Sequence, residues 1–206
     1  MSNEAKTKVD MDPKYLVKLT VPLFVTCVIV AGLLGFVNKL TLPNITAANE
    51  RKTAKAIQEV LPEMEGSPTV MELTDEMTAA AAGAGATVTE AYEAQAGGSV
   101  IGHALKIVAS GSQGNIVMMV GLDAEGAVTG VSIVSNSETS GIGSKVMNNE
   151  PLTSGTGVLD QFIGKSAADG ELTVGKNVDA ISGATVSSKG VTTGVSAALA
   201  VAGLLG

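Results

Sequence analysis

Hydrophobic and polar positions change rhythm three times along the chain. From Leu19 to Val37 the sequence LTVPLFVTCVIVAGLLGFV carries no charge. A helix crosses the hydrocarbon core with about 20 such residues. Pro22 stands near the start of the run, where a missing N–H costs least. The second rhythm is that of a thin amphipathic helix over residues 46–61, TAANERKTAKAIQEVL. Asn44 or Thr46 would cap it, Ala48, Ile57 and Leu61 form its stripe, and Pro62 would stop it. Residues 63–99 are acidic and rich in Ala and Gly, with AAAAGAGAT at 79–87, and predict a partly helical connector. The third rhythm begins at Ser99, where short β-branched runs alternate with glycines. Ile101–Val108, Asn115–Gly121 and Ala127–Val134 predict strands, and Asp123–Gly126 predicts a hairpin turn between the last two. VLDQFI at 158–163 predicts a short helix. Val191, Val195 and Leu199 recur at helical spacing within Ser187–Leu205, which predicts a helix packed on the sheet and not a second span.

These elements define an α+β chain: a tail over 1–18, a single transmembrane helix over 19–38, a helical connector over 39–98, and a domain over 99–206 with an antiparallel sheet and packed helices. The apolar run is longer than the core of a signal peptide and no A-x-A pattern follows it, so it is expected to stay as an anchor. Lys6, Lys8, Lys14 and Lys18 precede it, and Lys39, Arg51, Lys52 and Lys55 follow within about twenty residues. The first four sit closer on average. This favours a cytoplasmic tail and a globular part outside, on a cell inner or plasma membrane.

Composition removes several classes of function. The chain has 206 residues and a formal charge of −7, with two Tyr, three Phe and no Trp. An acidic surface with few aromatic platforms does not suit nucleic acid. One Cys excludes an internal disulfide, a Cys-ligated iron–sulfur cluster and a Cys-rich zinc site. The single His, His103, has no catalytic partner at a recognisable spacing and reads as a strand or surface residue. Gly164-Lys165-Ser166 is not a phosphate loop, because position 159 is Leu where that motif needs Gly. Asn44-Ile45-Thr46 fits a glycosylation acceptor, but so short a motif is commonplace.

Two segments retain chemical character. One is Glu138-Thr139-Ser140-Gly141-Ile142-Gly143, a glycine-rich loop after a strand. The other is Asp179-Ala180-Ile181-Ser182-Gly183-Ala184-Thr185-Val186-Ser187-Ser188, a turn leading into the last helix. Small residues at 182–184 let a bulky ligand approach the backbone. A hydroxyl at a helix start lies where free N–H groups and the dipole favour a phosphate. On spacing alone the second segment could equally be a turn capped by Ser187 or Ser188.

At these residues the chain resembles the FMN-binding domain family, in which the threonine of an S-G-A-T segment carries FMN through a phosphoester bond. Thr185 is the matching position. The resemblance runs through residues 99–195 in four ordered pieces: GSQGNIVMMVGLDAEGAVTGVSIV, the loop ETSGIG, QFIGK at 161–165 and DAISGATVSS at 179–188. Ser140 replaces the usual proline of the loop, Ile142 the usual leucine, and Ser112 a frequent aromatic. Length, the single anchor and QEVLP at 58–62 are most similar to the G subunits of Rnf complexes, and next to the C subunits of sodium-pumping NADH:quinone oxidoreductases. The resemblance implies FMN on Thr185, with Ser182, Gly183, Ala184, Ser187, Ser188, Glu138, Thr139, Gly141, Ile142 and Gly143 around it. It implies an electron relay among other membrane subunits, in a complex coupling ferredoxin oxidation and NAD reduction to Na⁺ or H⁺ transport. It also implies a separate flavin transferase, since no base stands beside Thr185 in the sequence to activate it. Two rival expectations are a stand-alone FMN reductase and a tethered scaffold with a vestigial site.

Overall fold

The computed structural model describes residues 13–205; Lys6 and Lys8 lie outside them. Residues up to Asn49 and residues from Glu50 onward form two units. In the first, Leu16–Leu42 is a helical stretch of 27 residues with mean hydropathy 2.4 and exposed apolar side chains. At a rise of 1.5 Å per residue it spans about 40 Å, more than the roughly 30 Å of a hydrocarbon core. The hydroxyls of Thr26 and Thr41 donate to the carbonyls of Pro22 and Val37, four residues back, at 2.8 and 2.9 Å. Polar groups in an apolar stretch are thereby satisfied within the helix itself.

The helix that contains this stretch, α1, runs from Pro13 to Val60 without interruption. A separate cap near residue 46 is therefore absent: Thr46 lies inside α1 and donates to the Leu42 carbonyl at 3.1 Å. Polarity changes at Asn38 and Lys39, but backbone geometry does not follow polarity. The expected stop does occur, at Val60, two residues before Pro62.

The second unit is built on a five-stranded antiparallel sheet whose strands lie in chain order. They are β1 (Thr69–Met71), β2 (Thr87–Ala96), β3 (Ser99–Ser110), β4 (Asn115–Asp123) and β5 (Val128–Asn136), with α2 (Asp75–Gly83) between the first two. Thus β1, α2 and β2 occupy part of the stretch expected to be a helical connector, and the sheet begins before residue 99. Asp123 closes the β4–β5 hairpin, its Oδ1 accepting from the N–H groups of Glu125 and Ala127. β4 is buried on both faces, which is why it reads as an unbroken apolar run. Met118 and Met119, adjacent in sequence, are both fully buried in different clusters.

One face carries α2 and the last helix, α4 (Thr185–Ala202). Phe162, in a short 3-10 turn over Asp160–Phe162, is the largest side chain buried there. On the other face the end of α1 is seated through Ala56, Ile57, Val60 and Leu61 against Ala94, Ala104 and Met119. Gly121 and Gly130, paired across β4 and β5, make the notch for Val60. A Cβ at Gly121 would lie 2.7 Å from the Val60 carbonyl oxygen. That carbonyl, at the helix end, accepts from the Thr129 hydroxyl at 2.6 Å.

Candidate functional site

Three segments meet beyond the ends of the central strands. The turn 111–114 joins β3 to β4. Residues 137–142 leave β5 and enter α3 (Gly143–Met147). The third segment is the start of α4. α4 can lie close over the sheet because Gly190 and Gly194 face it: a Cβ at Gly190 would meet the Ser110 carbonyl oxygen at 2.6 Å. This crossing brings the first turn of α4 beside the β3–β4 turn.

The loop after β5 is folded tightly on itself. The Thr139 carbonyl accepts from the N–H groups of Ile142 and Ser144, both at 3.2 Å, and the Ser144 hydroxyl accepts from Gly141 N–H at 2.8 Å. Gly141 has φ +79, a conformation that glycine adopts without strain. The result leaves the Ile142 side chain half exposed, at 51%. Val186, in the first turn of α4, is 56% exposed. Both residues line a hollow of about 150 Å³, together with Ser112, Glu138, Thr139, Gly143, Gly183, Ala184, Thr185 and Ser187.

The hydroxyls of the second segment divide into two kinds. Ser187 and Ser188 are 1% and 2% exposed. Ser187 donates to Glu138 Oε2 in a short hydrogen bond, and Ser188 donates to the Ala184 carbonyl at 3.1 Å. Both are therefore occupied within the protein. Thr185 is exposed, is the first residue of α4 and lines the hollow. Ser182 is exposed but is not among the lining residues. Ala184 is the N-cap residue and no side chain among the described residues caps the helix, so the first-turn N–H groups of α4 have no side-chain acceptor there. A Cβ at Gly183, which has φ +81, would meet nothing within 4 Å. An exposed hydroxyl, uncapped helical N–H groups and open space above a glycine are the donor set and clearance that a phosphate ester needs. The residues present therefore fit FMN.

Sequence reasoning did not place Val186 or the Ser112–Gln113 backbone at this site. Val186 lies next to Thr185, but its outward position depends on where α4 begins. The Ser112 and Gln113 N–H groups reach Glu138 Oε1 at 2.7 and 3.2 Å, across 26 and 25 residues. The only trace in the sequence is the pair of glycines, Gly111 and Gly114, that bracket the turn. His103 stands in β3 opposite Glu93. Burial lowers its pKa and the Glu93 charge opposes the shift. No group of three metal-ligating side chains occurs among the described residues.

The domain follows a helix long and apolar enough to cross a membrane, and residues 111–200 match the model of the FMN-binding domain family. The G subunit of the Na⁺-translocating ferredoxin:NAD⁺ oxidoreductase complex of Acetobacterium woodii is 34% identical over 210 residues, covering 96% of this chain and 97% of that one. The G subunit of the ion-translocating oxidoreductase complex of Methanosarcina acetivorans is 29% identical over 185 residues, covering 87% and 90%. The G subunit of the proton-translocating ferredoxin:NAD⁺ oxidoreductase complex of Clostridium ljungdahlii is 34% identical over 114 residues, covering 52% and 57%. The chain belongs to this family of G subunits, and is a membrane-anchored, FMN-binding electron-transfer subunit.

Proposed function

We propose that Thr185 carries FMN through a phosphoester bond. The flavin so held relays electrons in a membrane complex that couples ferredoxin oxidation and NAD⁺ reduction to ion transport, the activity for which two of the relatives are named. The observation that carries this reading is the sorting of hydroxyls. Thr185 alone among residues 182–188 offers an exposed hydroxyl that also lines the hollow.

The size of the hollow supports a covalent link. Sites that engulf a free ligand enclose about 300–1,000 Å³, and this one has about 150 Å³. It can seat part of a flavin mononucleotide but cannot retain the whole by burial. A tether keeps the cofactor in every redox state without a deep pocket. The N–H groups at the start of α4 would hold the phosphate, where the helix dipole favours an anion. Ile142 and Val186 would lie against the ring, and Gly141, where a Cβ would meet nothing within 4 Å, would let the backbone approach. FMN supplies the redox chemistry; the protein positions it and shapes its surroundings.

Thr185 has no hydrogen bond to a basic group among the described residues, which supports attachment by a separate flavin transferase. The globular part is proposed to lie outside the cytoplasm, on the lysine tally and on the resemblance together. The test is expression with and without a flavin transferase, followed by fluorescence imaging of a denaturing gel. A fluorescent band should appear with the transferase, and vanish in Thr185→Val. A band that persists in Thr185→Val would contradict the assignment. The isolated chain with its flavin should not turn over NADH, whereas a stand-alone reductase would.

A further inference from the structure

We infer that Glu138 is the positioning residue that closes the flavin seat, an inference resting on the reading of the hollow as that seat. Its carboxylate ties together three segments that no other side-chain bond joins among the described residues. Oε1 accepts from the backbone N–H groups of Ser112 and Gln113 at 2.7 and 3.2 Å. Oε2 accepts from the Ser187 hydroxyl, two residues beyond Thr185. Glu138 itself begins the loop that carries Ile142. One side chain thus fixes the β3–β4 turn, the ring-facing loop and the first turn of α4 against each other.

The surrounding backbone is shaped for this carboxylate. A Cβ at Gly111 would collide with Oε1. A Cβ at Gly143 would collide with Oε2, and would lie 2.8 Å from the Glu138 Cβ and 2.9 Å from the Ser187 oxygen. Glycine at both positions makes the room in which the carboxylate sits. Neither glycine has a positive φ, so backbone conformation does not explain them. Clearance does: for Glu138 at both positions, and at Gly111 for the Ile116 side chain as well.

Two consequences follow for the flavin. Hydrogen bonds to a carboxylate are stronger than neutral ones, so the seat is held in one shape even though it is shallow. A negative charge also stands in the wall of the hollow, where it opposes the gain of electrons by a cofactor bound there.

The test uses the full-length chain in detergent, with Glu138→Ala and Glu138→Gln. The Gln amide can accept from the two N–H groups and donate to the Ser187 hydroxyl, so it keeps the tie and removes the charge. In the flavin-free chain, Glu138→Ala should speed amide hydrogen exchange at Ser112 and Gln113 by about tenfold or more, as expected when an amide loses a charged acceptor. Glu138→Gln should restore most of that protection. In the flavin-loaded chain, Glu138→Ala should lower the anisotropy of flavin emission and Glu138→Gln should largely keep it. Both variants should raise the flavin midpoint potential. A Glu138→Ala protein with wild-type exchange, anisotropy and potential would overturn the inference. If Glu138→Ala does not fold, an unchanged potential in Glu138→Gln overturns it instead. The exchange experiment needs no flavin, so failure of flavin attachment to the wild-type chain would refute the Thr185 assignment and leave the tie to be judged separately.

Discussion

The side-chain amide of Gln161 pairs with the backbone of Asp179 in both directions. Its Nε2 donates to the Asp179 carbonyl at 3.0 Å, and its Oε1 accepts from the Asp179 N–H at 2.8 Å. The same Nε2 donates to the Val158 carbonyl at 2.8 Å. The segment leading to Thr185 is thereby pinned at its first residue to the 3-10 turn that buries Phe162. Gln161→Ala should cost about 1–3 kcal/mol, the sum of three modest hydrogen bonds at a half-exposed site. Chemical denaturation measures it. Gln161→Glu should lose a comparable amount, because it keeps the acceptor and loses the donor.

The packing of α4 on the sheet predicts a contrast between two glycines. A methyl at Gly190 would meet backbone, the Ser110 carbonyl at 2.6 Å, whereas one at Gly194 would meet the end of a flexible side chain, Met118 Sδ at 2.5 Å. Gly190→Ala should therefore destabilise by about 1–3 kcal/mol, the usual cost of overpacking, and Gly194→Ala by distinctly less. Thermal unfolding of the two variants side by side checks the order. Gly190→Ala should also disturb the flavin site, since it pushes α4 away from the β3–β4 turn.

Much of this arrangement is legible in the sequence, and the illegible parts have physical causes. β3, β4 and β5 announce themselves because β-branched runs are bounded by glycines and a turn. β2 does not. TVTEAYEAQA is rich in Ala and Glu, and the residues that it buries, Val88, Ala91 and Ala94, include two alanines. Register shifts between Val88 and Glu90 and between Ala94 and Gln95 also break its alternation. Of the residues that line the hollow, Thr139, Ile142, Gly143 and Thr185 stand in local motifs that are legible in the sequence; Gly141, expected with them, is not among the lining residues. The bonds from Glu138 to Ser112 and Ser187, and from Gln161 to Asp179, depend on strand register and on where α4 crosses. Neither leaves a periodic trace.

The seat of the α1 end should be sensitive to acid. The Ser132 hydroxyl donates to Glu59 Oε2 at 2.6 Å. That bond, assisted by Lys55 and opposed by partial burial, holds the Glu59 carboxyl below its ordinary value. A folded-state pKa below the unfolded one adds stability above the unfolded pKa, and the gain is lost as pH falls through the folded pKa. Stability should therefore decline through and below the ordinary carboxylate range. Ser132→Ala should make that decline shallower, which unfolding midpoints measured across the acid range would show.

Sidedness has a direct test at Ser67, which is exposed between α1 and β1. In a Cys27→Ala background, Ser67→Cys should react with an impermeant maleimide on intact cells. Labelling only after lysis would place the globular part in the cytoplasm.

The attachment claim is tested most directly by fragmenting one peptide. Trypsin cuts after Lys176 and Lys189, releasing residues 177–189 with Ser182, Thr185, Ser187 and Ser188 together. From chain co-expressed with a flavin transferase, mass spectrometry should find this peptide heavier by FMN less one water. Fragment ions should confine the addition to Thr185. An addition on Ser182, or an unmodified peptide from a chain that has become fluorescent, would contradict the account.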